Sequence, residues 1–419
     1  MLVDAPPSTN VCKVVPIMVE NDPPVPRHPA AAVFDARLSG LRSDTGSRAL
    51  AGMIPILMAI PFMYWPRLLE GDTQPWVAAG AALSALFFWP KPREHDLKKL
   101  YLPMLAAAAC MAVYALRETD SQSVLRYVGI LATFMTLWMI ACRGGQSFVS
   151  TAIKFTVVLW FIIAAYQIVA IRLGFPVEFF GRYIASRSGV PSLTAEPSFY
   201  GSISVLQMMY LISEEKKSNT PYVIVALASV FLSGSILSYL FLIVPLMRLP
   251  TRYKLTGAAA LLLISTQGIR LSDSGFFSRL SSIDFSAAIS DPAAILTRDA
   301  STNLRVGHVK FSIFDNFERS LFLENESSFR VEYNNWAFQQ RRYIYNESDF
   351  ILTSAGEMFF RSGLFGIFLV ITLIVYSYKS VSTYRRKVEK VIFVMLCFLS
   401  PVGLSNPFFV FFIIQKEQP

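Results

Sequence analysis

Charge is what this sequence has least of. Only 16% of its 419 residues are Asp, Glu, Lys or Arg, against about 25% in a soluble globular protein. A chain this poor in charge and 53% hydrophobic cannot solvate its whole surface, which excludes a soluble enzyme or nucleic-acid-binding module. Histidine is scarce as well: His28, His95 and His308 are the three, too few for a His-rich metal site. The four cysteines (Cys12, Cys110, Cys142 and Cys397) form no CxxC pair, so there is no disulfide framework. The first 48 residues hold no apolar run long enough for a signal peptide and carry seven prolines before position 30. They read as a disordered tail, with Lys13, Arg27, Arg37, Arg42 and Arg48 keeping it in the cytoplasm.

What the chain has in abundance is long apolar runs. A membrane-crossing helix needs about 20 apolar residues, and candidates lie near 49–66, 75–90, 100–116, 124–142, 153–173, 198–212, 221–247, 255–271, 351–376 and 390–414. The expected fold is all-α: a polytopic integral-membrane helix bundle of about 10–12 spans. The net charge of +9 follows from basic cytoplasmic loops and calls for no nucleic-acid partner. Starting inside, Lys91, Arg93, Lys98 and Lys99 fall inside, as do Arg143 with Lys154, and Lys216 with Lys217. Loops near 67–74, 117–123 and 174–197 fall outside.

The run 221–247 has basic residues on both flanks: Lys216 and Lys217 before it, Arg248, Arg252 and Lys254 after. Leu232-Ser233-Gly234-Ser235 interrupts it. Two inside ends imply a hairpin of short helices or a re-entrant pair, and backbone broken at membrane depth persists only beside protein or water. Residues 272–350 then form a large periplasmic loop with eight basic and eleven acidic residues. That balance is opposite in sign to the inside loops, as the orientation requires. Within the loop, Leu304, Val306, Val309, Ile313, Phe314 and Phe317 are spaced for an amphipathic helix over Asn303 to Phe317 lying on the bundle. The C-terminal section 351–419 returns to the membrane. Its last run, with Pro401 and Pro407, is either one kinked helix or two short ones.

Two outer segments concentrate chemistry-bearing residues. One runs Arg182-Tyr-Ile-Ala-Ser-Arg187 and on to Glu196-Pro197-Ser198. The other is the large loop, with Arg305, His308 and Lys310, then Arg341-Arg342 and Glu347-Ser-Asp349. A single arginine here is ordinarily a headgroup anchor. As a set they suit a pyrophosphate held at headgroup depth, because guanidinium groups stay charged and bind phosphate oxygens in pairs. Glu196 also reads as a helix-start acid, Ser198 as a cap, and His308 as a polar-face residue. Glu357 and Arg361, four apart in an apolar run, suit an intrahelical pair.

Taken in order, the arginine loop ending in Glu196-Pro197-Ser198, the broken hairpin at Leu232-Ser-Gly-Ser235, the very large outer loop and Gly356-Glu-Met-Phe-Phe-Arg-Ser-Gly363-Leu-Phe-Gly366 form a recognisable layout. It resembles the Wzy-type bacterial polysaccharide polymerases, within the O-antigen polymerase and ligase superfamily, over roughly residues 120 to 410. The resemblance implies a glycosyltransferase of the bacterial inner membrane. Such an enzyme transfers undecaprenyl-pyrophosphate-linked oligosaccharide repeats onto a lipid-linked acceptor glycan at the periplasmic face. It inverts the anomeric centre, uses no metal or other cofactor, and works beside a chain-length regulator and export machinery. Fixed arginines would stabilise the leaving pyrophosphate, and a general base would take the acceptor proton.

By resemblance, Arg187 with Arg182, and Arg305, match the outer-loop arginines of such enzymes, and Arg341 and Arg342 join them as pyrophosphate- and glycan-binding candidates. Glu196, Asp349 and His308 are the candidate bases. Ligase relatives carry a histidine where this chain has Glu347 and Asp349. Two other readings stand beside the polymerase. One is a lipid-linked oligosaccharide flippase, which calls for charges deep in the spans. The other is an O-antigen ligase transferring glycan to lipid A core.

Overall fold

A computed structural model of the protein describes residues 94–117, 146–175, 189–194, 196–249, 300–324, 329–340, 345–348, 351–400, 409, 412 and 413. All of them belong to the compact unit Ala49–Pro419. The tail 1–48 and the candidate spans at 49–66, 75–90, 124–142 and 255–271 lie outside the described residues. Every element described is helical: α1 (Glu94–Arg117), α2 (Gln146–Arg172), α3 (Pro197–Ser213), α4 (Thr220–Ser233), α5 (Ile236–Arg248), α6 (Ala300–Val309), a π-helical stretch Lys310–Asp315, α7 (Phe317–Leu321), α8 (Phe329–Gln339), α9 (Ser354–Lys379) and α10 (Tyr384–Phe398).

The hub is α3. It opens with Pro197, whose missing N–H costs nothing in a first turn, and nearly every residue from Phe199 to Ser213 is buried. A helix apolar on all sides must be surrounded. The residues that surround it come largely from the run 221–247, which is two helices. Gly234 ends α4 in the left-handed conformation (φ 60°), and Ser235 starts α5 by accepting the N–H of Ser238 at 3.4 Å. At the other end of α4, Asn219 donates to the carbonyl of Leu211 (3.0 Å) and to Glu214 (2.7 Å). The end of α5 returns to the end of α3, where Arg248 donates to Ser213 at 2.9 Å. Thus α4 runs antiparallel to α3 and α5 parallel to it, a splayed hairpin with α3 between its arms. Gly201 makes this possible: a β-carbon there would collide with the hydroxyls of Ser233 and Ser238.

Basic residues gather at one end of this bundle. Arg248 and Arg385 each bond Glu389 at 3.0 Å, Arg386 pairs with Glu215, and Lys390 donates to Ser380 at 2.8 Å. At the opposite end Ser354 reaches the carbonyl of Ser400 through its N–H (3.1 Å) and its hydroxyl (2.6 Å), closing α9 against α10. Of the last run beyond residue 400, Phe409, Phe412 and Ile413 are described. Phe409 packs on Phe398 and Phe412 on Phe393, so these two residues lie back along α10.

Among the described residues two helices are long and apolar enough to cross a membrane, Val149–Ile171 and Ser354–Lys379. Their outward faces are apolar too: Phe155, Ile162, Tyr166 and Val169 on α2, and Leu364, Phe365, Phe368, Ile371 and Val375 on α9 are exposed. α9 breaks at Gly363 (φ 53°, ψ −128°), where the carbonyls of Ser320 and Leu321 would stand 2.7 Å from any β-carbon.

The amphipathic helix expected over Asn303 to Phe317 needs correction. The chain is helical there, but the π-helical stretch shifts its register and it buries the opposite face. Asn303, Gly307, His308, Phe311, Ser312 and Asn316 point inward, while Val306, Phe314 and Phe317 are exposed. The physical reason is an aromatic nest from elsewhere in the chain. Phe329, Tyr333 and Trp336 of α8, with Phe360 of α9, receive Phe311 at ring distances of 5.5 to 6.0 Å.

The Arg248–Glu389 pair, with both side chains 8% exposed, sets a test. Arg248→Met strips a buried carboxylate of one cation, which costs about 3–5 kcal/mol where no other partner remains. Because Arg385 stays on Glu389, thermal unfolding in detergent is expected to show a loss of about 3 kcal/mol, at the low end of that range.

Candidate functional site

The described residues of 300–324, 329–340 and 345–348 form a lobe over the start of α9. Backbone ahead of α9 is fastened by side chains: the N–H groups of Asn346, Ser348 and Leu352 donate to Asn303 Oδ1 (3.0 Å), Asn334 Oδ1 (2.9 Å) and His308 Nδ1 (2.9 Å). Backbone outside a helix or sheet must find such acceptors when buried. Asp315 adds a polar clamp, accepting from Lys310 (2.8 Å) and from the Trp336 indole N–H (2.9 Å). The ammonium of Lys310 also lies over the Trp336 ring.

His308 is fully buried, edge-on to Tyr333 at 4.6 Å and to Phe329 at 5.2 Å. Burial in this aromatic nest, reinforced by the positive charge of Arg305 one turn earlier, lowers its pKa from 6.5 to about 3. It is neutral across the physiological range, and as a base it would be weak. Arg305 is half-buried on the same helix. Burial pushes the Tyr333 phenol above its ordinary value, so it too is neutral.

Glu196 stands elsewhere in the bundle, at the N-terminal end of α3. Its backbone is extended (φ −140°) and its carboxylate makes no cap bond. One carboxylate oxygen accepts from Ser198 at 3.2 Å, while its carbonyl accepts from the Thr194 hydroxyl at 2.7 Å. The loop before it is pinned to the hairpin break. Val190 donates to the Leu232 carbonyl at 3.1 Å, and the Gln167 amide pairs with both backbone groups of Ser192 at 2.7 and 2.8 Å. Glu196 therefore belongs to the break at Gly234, and His308 with Arg305 to the mouth of α9. The partners of each come from different elements.

Arg182, Arg187, Arg341, Arg342 and Asp349 lie outside the described residues, and Glu347 is exposed on the pinned segment. Deeper along α9, Glu357 and Arg361 approach to 3.9 Å. The second guanidinium contact is tighter, Arg361 Nη1 to the Tyr114 hydroxyl at 3.0 Å. Among the described residues no three His, Cys, Asp or Glu side chains are grouped to hold a metal ion. Sequence reasoning passed over Asn303, Ser312, Tyr333, Asn334 and Thr353. The recurrence of polar residues on the turn of His308 (Asn303, Ser312) was a signal for a buried polar face, but the stronger apolar stripe on the other side masked it.

The depressed His308 pKa gives a pH expectation. The unfolded chain binds a proton below 6.5 and the folded chain does not until about 3, so this histidine makes stability fall as pH drops through that window. Between pH 7 and pH 5 the loss is about 2 kcal/mol. Melting curves against pH should show this extra slope in the native protein and lack it in His308→Gln. No family model matches the chain, and neither does any curated protein or solved structure.

Proposed function

We propose that the chain is a multi-pass protein of the bacterial inner membrane that polymerises undecaprenyl-pyrophosphate-linked oligosaccharide repeats at the periplasmic face. The observation that carries this reading is the lobe at the end of the bundle opposite its basic residues. There Arg305 and His308 sit directly over the start of a 26-residue apolar helix. Basic residues mark the cytoplasmic side of membrane proteins, so the lobe belongs outside, where lipid-linked repeats are joined. The apolar outward faces of α2 and α9 support a bilayer as the surrounding solvent.

In this reading a lipid-linked donor lies with its pyrophosphate near Arg305 and the arginines of the two outer loops. The anomeric C–O bond to pyrophosphate breaks as a terminal hydroxyl of the acceptor glycan attacks from the opposite face, inverting the centre. The acceptor proton passes to a carboxylate, Glu196 or Asp349, since His308 is too weak a base. Arginine bears the growing charge on the leaving group through paired N–H donors. Partners such as a chain-length regulator belong to the same proposal. A second reading, a flippase for the same lipid-linked substrate, draws on the Glu357–Arg361–Tyr114 cluster, because ionisable groups inside an apolar helix often mark a transport path.

The deciding experiment uses purified protein and an undecaprenyl-pyrophosphate repeat unit with EDTA present. The expected outcome is a ladder of lengthened lipid-linked glycans that falls at least about 100-fold in Arg305→Ala and is barely restored by Arg305→Lys, since a point charge lacks the guanidinium fork. Transfer of unlengthened repeats across proteoliposomes would replace the reading with a flippase. Reaction only after lipid A core is added would replace it with a ligase.

A further inference from the structure

Four polar side-chain atoms on the helices and chain that join the lobe to α9 are each buried with no hydrogen-bond partner: His308 Nε2, Ser312 Oγ, Tyr333 OH and Thr353 Oγ1. All four residues are 0% exposed. A buried polar group left unbonded is unfavourable and uncommon, so four in one neighbourhood ask for a shared partner. The tautomer of His308 follows from geometry. The Leu352 N–H donates to Nδ1 at 2.9 Å, so that nitrogen keeps its lone pair and the neutral ring carries its proton on Nε2. Nε2–H is thus a donor needing an acceptor.

The other members are hydroxyls, which both donate and accept. Ser312 follows His308 by about one turn, and Thr353 follows Leu352 directly. Ser312 Oγ and Thr353 Oγ1 both lie within 3.5 Å of a single point, the place a β-carbon would take on Gly356. Thr353 holds the N-cap position of α9 yet makes no cap bond with its side chain, so its hydroxyl is uncommitted. Tyr333 closes over Gly307, its oxygen 2.5 Å from that residue's β-carbon position. Phe311, Phe329 and Tyr333 pack together in the buried cluster of the lobe.

We propose that His308, Ser312 and Thr353, roofed by Tyr333, form a buried site for one hydroxyl oxygen, and that His308 serves in it as a hydrogen-bond donor. The oxygen accepts from Nε2–H and exchanges hydrogen bonds with the two hydroxyls, tying the lobe helix to the first turn of α9. Two molecules offer this chemistry: water, or a glycan hydroxyl. The glycan case rests on the polymerase reading and the water case does not.

The test uses the full-length protein in nanodiscs, labelled with 15N-histidine, with His28→Gln and His95→Gln so that His308 alone reports. The expected result is an Nε2–H tautomer. Thr353→Val and Ser312→Ala, replacing hydroxyls by apolar groups, are each expected to lower the melting temperature by roughly 2–4 °C. Their combination should lower it by less than the two shifts together, as for residues sharing one partner. An Nδ1–H tautomer overturns the proposal. So do melting temperatures equal to or above the native value, because removing an orphan hydroxyl that bonds nothing is neutral or stabilising. If a variant fails to fold, the tautomer in the otherwise native protein still decides. Adding a lipid-linked repeat separates the sources: a displaced Nε2–H resonance means a glycan hydroxyl, and an undisplaced one with a cross-peak to solvent means water. Neither readout depends on polymer formation, so failure of the polymerase reading leaves this result standing on its own.

Discussion

The architecture around α3 depends on the absence of a side chain at Gly201, where a β-carbon would meet two serine hydroxyls. Because no side chain stands there, Ser233 at the end of α4 and Ser238 at the start of α5 press their hydroxyls against α3 from either side of the break. Small residues at helix crossings are the means by which apolar helices gain contact when burial from water offers little driving force between them. Gly234, in the left-handed conformation, lets the chain reverse at that point. Gly189 then brings the preceding loop onto the carbonyl of Ser233. The loop carrying Glu196 is thereby positioned by the same break that reverses the hairpin.

The two ends of the bundle are held by different chemistry. At the basic end, Arg248, Arg385, Arg386 and Lys390 are each committed to a named partner, two of them to Glu389. At the other end, backbone N–H groups ahead of α9 go to two asparagines and a histidine. His308 is thus tied into the framework that positions the lobe. This placement separates two roles that one residue could have played: a base needs access and a pKa near the working pH, whereas a pin needs burial and a fixed tautomer. His308 has the second set of properties, which leaves proton acceptance in the proposed reaction to a carboxylate.

Much of the helical layout was legible along the chain because it follows from local rules. Apolar runs of sufficient length become helices whatever their neighbours, and Leu232-Ser-Gly-Ser235 breaks one because glycine and serine favour caps over helix interiors. The error over Asn303 to Phe317 shows where that reasoning stops. A stripe of Leu304, Val306, Val309, Ile313, Phe314 and Phe317 marks one face as apolar, but which face is buried depends on what the rest of the chain brings to it. Phe329, Tyr333, Trp336 and Phe360 come from two later helices and together outweigh the stripe.

The sequence by itself determined the helical class, the positions of the described apolar helices and the reversal at Gly234, because hydropathy, helix propensity and glycine chemistry act over a few residues. Only the tertiary structure decided that α3 lies between the arms of the hairpin, that Phe409 and Phe412 lie back along α10, and that His308 faces inward with its Nδ1 committed to Leu352. These facts depend on contacts between segments tens to hundreds of residues apart. No local pattern encodes which distant side chains will fill a given space, and the energy of filling it is settled only when the chain has closed around it.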